Sequence, residues 1–189
     1  MIEVRAAHPD DADALAAAHV QGWRVAYRGL FSDDYLDADA FEQERLTMWR
    51  GWTWNQSGRN HLFAGLVNGV TLGFSLSGPA RGTDEHAHTD GAGEVFAFYL
   101  HPDAWGSGLA SALMTRAVDQ LATDGYSTAV LWVLRDNPRA RRFYEREGWS
   151  PTGRTTMWAG PASASHPPEP VAEVEYGRTI AQESGTGGR

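Results

Sequence analysis

A glycine-rich turn between a buried strand and a helix constrains this chain more than any other sequence feature. Residues Glu94 to Leu100 are almost continuously apolar, which predicts a central strand covered on both faces. Pro102 ends that strand, and apolar residues recur with helical spacing from Leu109 to Leu121. The connecting segment is Trp105-Gly106-Ser107-Gly108-Leu109-Ala110. Its small residues predict a helix start that a ligand can approach closely.

Such a turn is suited to binding a diphosphate. The first amides of a helix lack internal partners and carry the positive end of its dipole. A P-loop would need Gly-Lys followed by Ser or Thr, and the sequence contains none. A dinucleotide fingerprint would need glycine where Ser111 stands, so a nucleotide-dependent oxidoreductase is a poor alternative. A turn that only allows tight packing also stays open.

Alternation and helical spacing predict a sheet of about seven strands with about four helices. Besides the strand and helix above, the predicted strands are Ile2–Ala6, His61–Val67, Thr71–Leu76, Thr128–Leu134, Trp149–Trp158 and Val171–Ile180, and the helices are Ala12–Tyr27, Ala38–Trp54 and Pro138–Glu147. Asn68-Gly69 predicts a tight hairpin. The segment from Gly78 to Gly93 is polar and glycine-rich, which predicts a surface loop.

Composition limits the classes of function. The 189 residues, 42% of them apolar, predict one domain over residues 1–180, followed by a disordered polar tail over 181–189. A net charge of -8 argues against a general nucleic-acid or anionic-membrane binder. The absence of cysteine excludes a disulfide framework and a cysteine nucleophile. The N-terminus has no signal-peptide pattern, so we expect a soluble cytoplasmic protein.

A second motif begins at Asn137. Asn137 and Pro138 are typical of a helix start, as the N-cap and the first helical residue. Ala140, Phe143 and Tyr144 then share one helix face. A core aromatic is one interpretation of Tyr144, and a functional phenol is the other.

The two motifs together resemble the GNAT superfamily of acetyltransferases. Residues Leu100 to Met114 are similar to the family's coenzyme A loop. The pattern of that loop is Gln or Arg, then any two residues, Gly, any one residue, and Gly or Ala. Gly108 and Ala110 match this pattern, and Trp105 replaces its first residue. Residues Asn137 to Trp149 are similar to the family segment Asn-x-x-Ala-x-x-Phe-Tyr-x-x-x-Gly-Phe. The segment Gly22–Leu30 resembles a branch of the family in which this region borders the acceptor pocket. The resemblance covers roughly residues 1–180.

This resemblance implies an α/β (α+β) fold with a central mixed, mostly antiparallel twisted sheet. It implies transfer of an acetyl group from acetyl-CoA to an amine of a small molecule or peptide, with a homodimer as a family-level expectation. The implied cofactor contacts are Phe98, Leu100, Trp105, Gly106, Ser107, Gly108, Leu109, Ala110, Ser111, Asn137, Ala140 and Tyr144. A non-catalytic acyl-CoA sensor on the same fold is the alternative.

The resemblance also implies roles for particular side chains. Tyr144 matches the family's general acid. Glu94 is the candidate base, because desolvation at the start of an apolar strand would raise its pKa; a solvent-facing strand end is the alternative. Trp23 and Tyr27 are expected either to line the acceptor pocket or to pack in the core.

Two polar groups are not expected to be sites. The segment from Asp84 to Asp90 carries metal-capable side chains in a loop without a fixed second shell, so we predict no metal. The cluster Arg139, Arg141 and Arg142 could meet the 3'-phosphate of coenzyme A or form a solvated helix face.

Overall fold

The structure is a computed structural model that describes residues 1–52, 58–81, 91–158 and 170–180. Its strands are β1 (Ile2–Ala6), β2 (His61–Val67), β3 (Val70–Pro79), β4 (Ala92–Leu100), β5 (Thr128–Leu134), β6 (Ser150–Trp158) and β7 (Val171–Thr179). Its helices are α1 (Ala12–Ala26), α2 (Asp33–Leu36), α3 (Asp39–Arg50), α4 (Leu109–Thr123) and α5 (Pro138–Arg146). The predicted mixed α/β sheet of seven strands is confirmed.

Several elements differ from the sequence prediction. The strand β4 begins at Ala92, inside the predicted loop, and α3 ends at Arg50, with Gly51 as its C-cap. The strand β3 continues past Leu76 to Pro79, because its last residues pair with β4 through Gly78 and Glu94. The one-turn helix α2 was not predicted, and its N-cap Ser32 accepts a hydrogen bond from the amide of Tyr35. The predicted loop core at 82–90, the end of the predicted second helix at 53–54 and the tail at 181–189 lie outside the described residues.

The strands form one sheet in the order β1-β2-β3-β4-β5-β7-β6, with β4 in the middle. Every neighbouring pair is antiparallel except β4 and β5, which are parallel. A parallel pair needs a crossover connection, and α4 supplies it. The glycine-rich turn therefore lies at the end of β4, where the chain leaves the centre of the sheet.

Helices cover both faces of the sheet, as β2 illustrates. Leu62 and Ala64 pack in a cluster with residues of α1, whereas Phe63 packs with Leu109 and Leu113 of α4. This alternation follows from the two-residue period of a strand, and it explains why β2 is apolar at nearly every position. No helix in the described ranges is long and apolar enough to cross a membrane.

The sheet divides between its two central strands. Pairing of β4 with β5 covers only Ala92 to Val95 on one strand and Thr128 to Leu131 on the other. Beyond that point β4 stays paired with β3, and β5 stays paired with β7. The second halves of β4 and β5 therefore separate and leave a wedge-shaped opening in the middle of the sheet.

Candidate active site

A cavity of about 810 Å³ occupies the opening between β4 and β5. It extends from the start of α4 along both separated strands to the end of α1 and the strand β7. The sequence-predicted site residues that line it are Tyr27, Glu94, Phe98, Leu100, Trp105, Gly106, Gly108, Ala110, Asn137, Ala140 and Tyr144. The tertiary structure thus brings the two sequence motifs together in one space.

A β-bulge shapes the wall that β4 gives to the cavity. Leu76 pairs with Ala97 and Ser77 pairs with Val95, so Phe96 is the extra residue. A bulge bends its strand and redirects the groups that follow it. Residues Phe98 and Leu100 then lie along the edge that faces the opening, where β4 has no strand partner. Their backbone groups are available to a ligand.

The start of α4 forms the opposite wall. Gly106 and Gly108 have φ of 75° and 90°, a left-handed conformation that favours glycine. A Cβ atom on Gly106 would meet nothing within 4 Å, so the space beside the backbone is open. The Ala112 amide donates to the Gly108 carbonyl, and no described residue accepts from the amides of Ala110 and Ser111. These amides can bind an anion, as the sequence predicts.

Three predicted cofactor contacts have side chains occupied elsewhere. The Ser107 hydroxyl donates to the Ala104 carbonyl at 2.6 Å and accepts from the Leu109 amide at 3.2 Å. The Leu109 side chain is fully buried between α4 and the sheet. Ser111 donates to the Glu147 carboxylate at 2.7 Å. These residues can contribute only backbone groups to the cavity, or they can hold its wall in place.

Trp105 and Arg139 pair across the mouth of the cavity. The Arg139 guanidinium lies 3.2 Å from the centroid of the Trp105 ring, which is a cation–π contact. Of the arginine cluster, Arg139 lines the cavity, whereas Arg141 donates to the Tyr176 hydroxyl and the Arg135 carbonyl. Arg139 is therefore the member of this cluster that a ligand in the cavity could contact.

The helix α5 directs Tyr144 into the cavity. The predicted N-cap is confirmed, because Asn137 Oδ1 accepts from the Ala140 amide at 3.0 Å and Pro138 follows it. Tyr144 is 8% exposed and packs edge-on against Phe98 with 6.5 Å between ring centroids. Burial raises the pKa of its phenol well above the ordinary value. The hydroxyl is therefore protonated at neutral pH, and no described residue hydrogen-bonds to it.

Glu94 lines the same cavity on the side of β4 that faces α1. It is 2% exposed, so it is not a solvent-facing strand end. Its carboxylate accepts from the Arg81 backbone amide at 2.9 Å and from the Arg81 guanidinium at 2.8 Å. The carboxylate that the sequence predicts as a base is thus held in an ion pair with an arginine.

Trp23 lies in α1, whereas Tyr27 is the C-cap residue that follows this helix. Tyr27 lines the cavity, and its hydroxyl lies 3.3 Å from that of Tyr99 on β4. Trp23 is 4% exposed and packs against Tyr27 with 4.7 Å between ring centroids. Trp23 therefore supports the pocket from the core and does not line it.

The carboxylate of Glu173 on β7 lines the cavity and was not predicted from the sequence. Glu173 pairs in register with Leu134 of β5 and is half-buried. Burial raises the pKa of its carboxyl to about 7; the Arg81 charge lowers it and the Glu94 charge raises it. The alternation of Val171, Glu173 and Glu175 places them on one face of a strand, but no sequence pattern shows that this face meets a cavity.

Within the described residues, no group of three or more His, Asp or Glu side chains could hold a metal ion. The metal-capable segment at 84–90 lies outside them.

Comparison with known proteins identifies the family. The sequence profile of the Acetyltransferase (GNAT) family matches residues 24–149. The uncharacterized N-acetyltransferase YuaI of Bacillus subtilis is 29% identical over 138 residues, which are 73% of this chain and 75% of YuaI. The chain belongs to the GNAT family, as the two sequence motifs predict, and it is an acyltransferase.

Solved structures of the same fold come from distant sequences. The PaiA N-acetyltransferase of Thermoplasma acidophilum, solved in complex with coenzyme A, has a TM-score of 0.69 at 16% identity and covers 95% of this chain and 99% of its own. The yncA protein of Salmonella typhimurium, solved with its cofactor acetyl-CoA, has a TM-score of 0.63 at 18% identity and covers 97% of this chain and 96% of its own. These likenesses establish the fold.

Proposed function

We propose that this protein transfers the acetyl group of acetyl-CoA to an amine of a small molecule or peptide by direct attack. One observation carries the proposal: a single cavity joins the open amides of α4, the unpaired edge of β4 and the phenol of Tyr144. A long acyl carrier can enter such a cavity with its diphosphate at α4 and its thioester near Tyr144. The two related structures that hold coenzyme A or acetyl-CoA support this choice of donor.

The residues around the cavity fit the donor. The amides near Gly108 and Ala110 would bind the diphosphate, because they form the positive end of a helix dipole and have no bulky side chain beside them. The unpaired edge of β4 at Phe98 and Leu100 would bind the pantetheine arm and the thioester carbonyl through the backbone. An acidic protein can bind an anion in this way without a cluster of lysines.

The reaction needs a neutral amine, a partner for the oxyanion and a proton for sulfur. The nitrogen lone pair attacks the thioester carbon, and the C=O π electrons move to oxygen. The oxyanion then re-forms the carbonyl as the C–S bond breaks, and the thiolate takes up a proton while the nitrogen loses one. An ammonium acceptor therefore releases one net proton, giving an amide and a free thiol.

We assign Tyr144 as the general acid and Glu94 as the base that acts through water. A phenol that stays protonated at neutral pH is ready to donate to the departing thiolate, and the same buried surroundings raise the pKa of that thiol. For an acceptor with a pKa near 10.4, removing the ammonium proton at pH 7 costs about 4 to 5 kcal/mol. The base therefore matters most for lysine-like amines.

The proposal is tested by an assay of thiol release from acetyl-CoA with a panel of polyamines, aminoglycosides, amino acids, arylalkylamines and peptide N-termini. We expect at least one class of amine to be acetylated. Tyr144→Phe should bind coenzyme A as the wild type does in calorimetry and should lower kcat by about 10²-fold or more. Unchanged turnover in Tyr144→Phe would reassign the acid, and coenzyme A binding without turnover on any amine would favour an acyl-CoA sensor.

A cytoplasmic location and a homodimer complete the proposal as expectations from the sequence and the family resemblance. Cell fractionation and sedimentation velocity would test them.

A further inference from the structure

Glu173 lines the cavity and has no ionic partner among the residues that the structure describes. No described residue forms a hydrogen bond or an ion pair with its side chain. Glu94 has Arg81, and the nearby Arg28 pairs with Asp33 and Asp37 at 2.9 and 2.7 Å. A half-buried carboxylate is costly to leave unpaired unless a ligand supplies the missing cation.

Aromatic side chains line the same cavity as this carboxylate. Thr156 of β6 pairs with Glu173 in register, and the two-residue period places Trp158 on the same face of the sheet. Burial raises the pKa of the phenols of Tyr27 and Tyr99, and the Glu173 charge raises it further. We call Tyr27, Tyr99, Trp158 and Glu173 the amine pocket. All four line the cavity between β4 and β5, whose wall includes the start of α4.

The amine pocket combines one negative charge with aromatic surface. The faces of aromatic rings attract cations, and they also pack against apolar groups. Arg28 and Arg81, two of the arginines that line the cavity, are both held by carboxylates, so neither is free to receive a carboxylate of a substrate. A zwitterionic amino acid would therefore find no free cation at Arg28 or Arg81 for its carboxylate.

We propose that the Glu173 carboxylate binds the ammonium group of the acceptor, and that the acceptor is a primary amine on an apolar or aromatic body that carries no carboxylate. This inference rests on the proposed function and adds the chemical class of the substrate. Glu173 gives the amine its position in the cavity, and the base then removes its proton.

Binding of the acceptor should become tighter as the pH rises through the pKa of Glu173. Glu173 is ionised above its pKa of about 7, whereas an alkylamine stays protonated well above that pH. The groups that face Glu173 are Arg81, which lowers the carboxyl pKa, Glu94, which raises it, and the two phenols, which stay neutral. The KM for the amine should therefore fall as pH rises from 6 to 8.

Three matched probes test the substrate class. 2-Phenylethylamine carries only the ammonium, phenylalanine adds a carboxylate, and 2-phenylethanol replaces the ammonium with a hydroxyl. We expect kcat/KM for 2-phenylethylamine to exceed that for phenylalanine by about tenfold or more. We expect calorimetry on protein loaded with coenzyme A to show about tenfold weaker binding of the alcohol than of the amine, because a charge-assisted hydrogen bond is lost. Equal values for either pair would overturn the proposed class.

Glu173→Gln tests the residue itself. We expect the KM for 2-phenylethylamine to rise about tenfold or more and to lose its change between pH 6 and 8, with coenzyme A affinity unchanged. Glu3→Gln is the control, since Glu3 is exposed on β1 at the edge of the sheet, and it should keep the wild-type KM. An unchanged KM in Glu173→Gln would overturn the role of Glu173.

The outcomes separate this inference from the proposed function. If other amines are acetylated but 2-phenylethylamine is neither bound nor acetylated, the inference fails and the acetyltransferase stands. If coenzyme A does not bind and no amine is acetylated, both fail.

Discussion

Two carboxylates in one cavity differ in their surroundings at the scale of single residues. Glu94 is buried and ion-paired with Arg81, whereas Glu173 is half-buried and has a raised pKa. The two carboxylates differ in charge partner and in burial, so the same chemical group can take two roles in one cavity. We assign proton removal through water to Glu94 and ammonium binding to Glu173.

Glu94→Gln separates these roles. Loss of a general base should lower kcat by about 10²-fold for an alkylamine and change the acidic limb of the pH–rate profile, with a smaller change in KM. Steady-state kinetics from pH 6 to 9 measure both effects. Arg81→Gln is the matched variant, since it breaks the ion pair and keeps the carboxylate. Equal losses of kcat in both variants would show that the ion pair itself, and not the base, is needed.

At the scale of elements, the position of the cavity wall that α4 forms depends on how closely this helix approaches the sheet. A Cβ atom on Gly65 of β2 would lie 2.6 Å from Cδ1 of Leu113 and 2.9 Å from Cδ1 of Leu109. Both leucines are fully buried. The helix that supplies the anion-binding amides therefore rests directly on a glycine of a neighbouring strand.

Gly65→Ala should move α4 and disturb its first turn. Overpacking a core in this way costs about 1 to 3 kcal/mol, which urea unfolding would measure. Calorimetry should show weaker binding of coenzyme A, because the open amides of Ala110 and Ser111 move with the helix. Gly58→Ala is the control, since a Cβ atom there would meet nothing within 4 Å and the φ of Gly58 is not positive. Wild-type stability and affinity in Gly65→Ala would refute this coupling.

For the whole molecule, an unpaired carboxylate in a cavity lowers stability for the sake of binding. The pKa of Glu173 is raised from 4.5 to about 7 in the folded protein. The folded state therefore favours the protonated acid. Its contribution to stability is complete below about pH 4.5 and is lost as pH rises through 7.

Glu173→Gln should accordingly be more stable than the wild type at pH 8. The gain is on the order of 3 kcal/mol, because each pKa unit corresponds to about 1.4 kcal/mol. The difference should shrink as pH falls toward 4.5, where the wild-type carboxyl is also neutral. Urea unfolding at several pH values measures it, with Glu3→Gln as the exposed control. A difference that does not vary with pH would contradict the raised pKa.

The sequence by itself determined the features that depend on neighbouring residues. The positions of β1, β2 and β5, the glycine-rich turn and the capped start of α5 follow from alternation, backbone freedom and a side-chain cap, which act within a few residues. The family resemblance then joined the turn to Tyr144. The bulge at Phe96 and the exact end of β3 could not be predicted, because they depend on pairing between strands that are distant in sequence.

Only the tertiary structure decided which side chains share the cavity. Strand β7 lies between β5 and β6, and this order brings Glu173 beside Leu134. Glu175, on the same face, is instead buried and accepts a hydrogen bond from Thr152 at 2.7 Å. Trp23 and Tyr27 likewise lie four residues apart at the end of α1, yet only Tyr27 lines the cavity. The physical reason is that solvation and charge partners come from packed neighbours, which local sequence patterns do not specify.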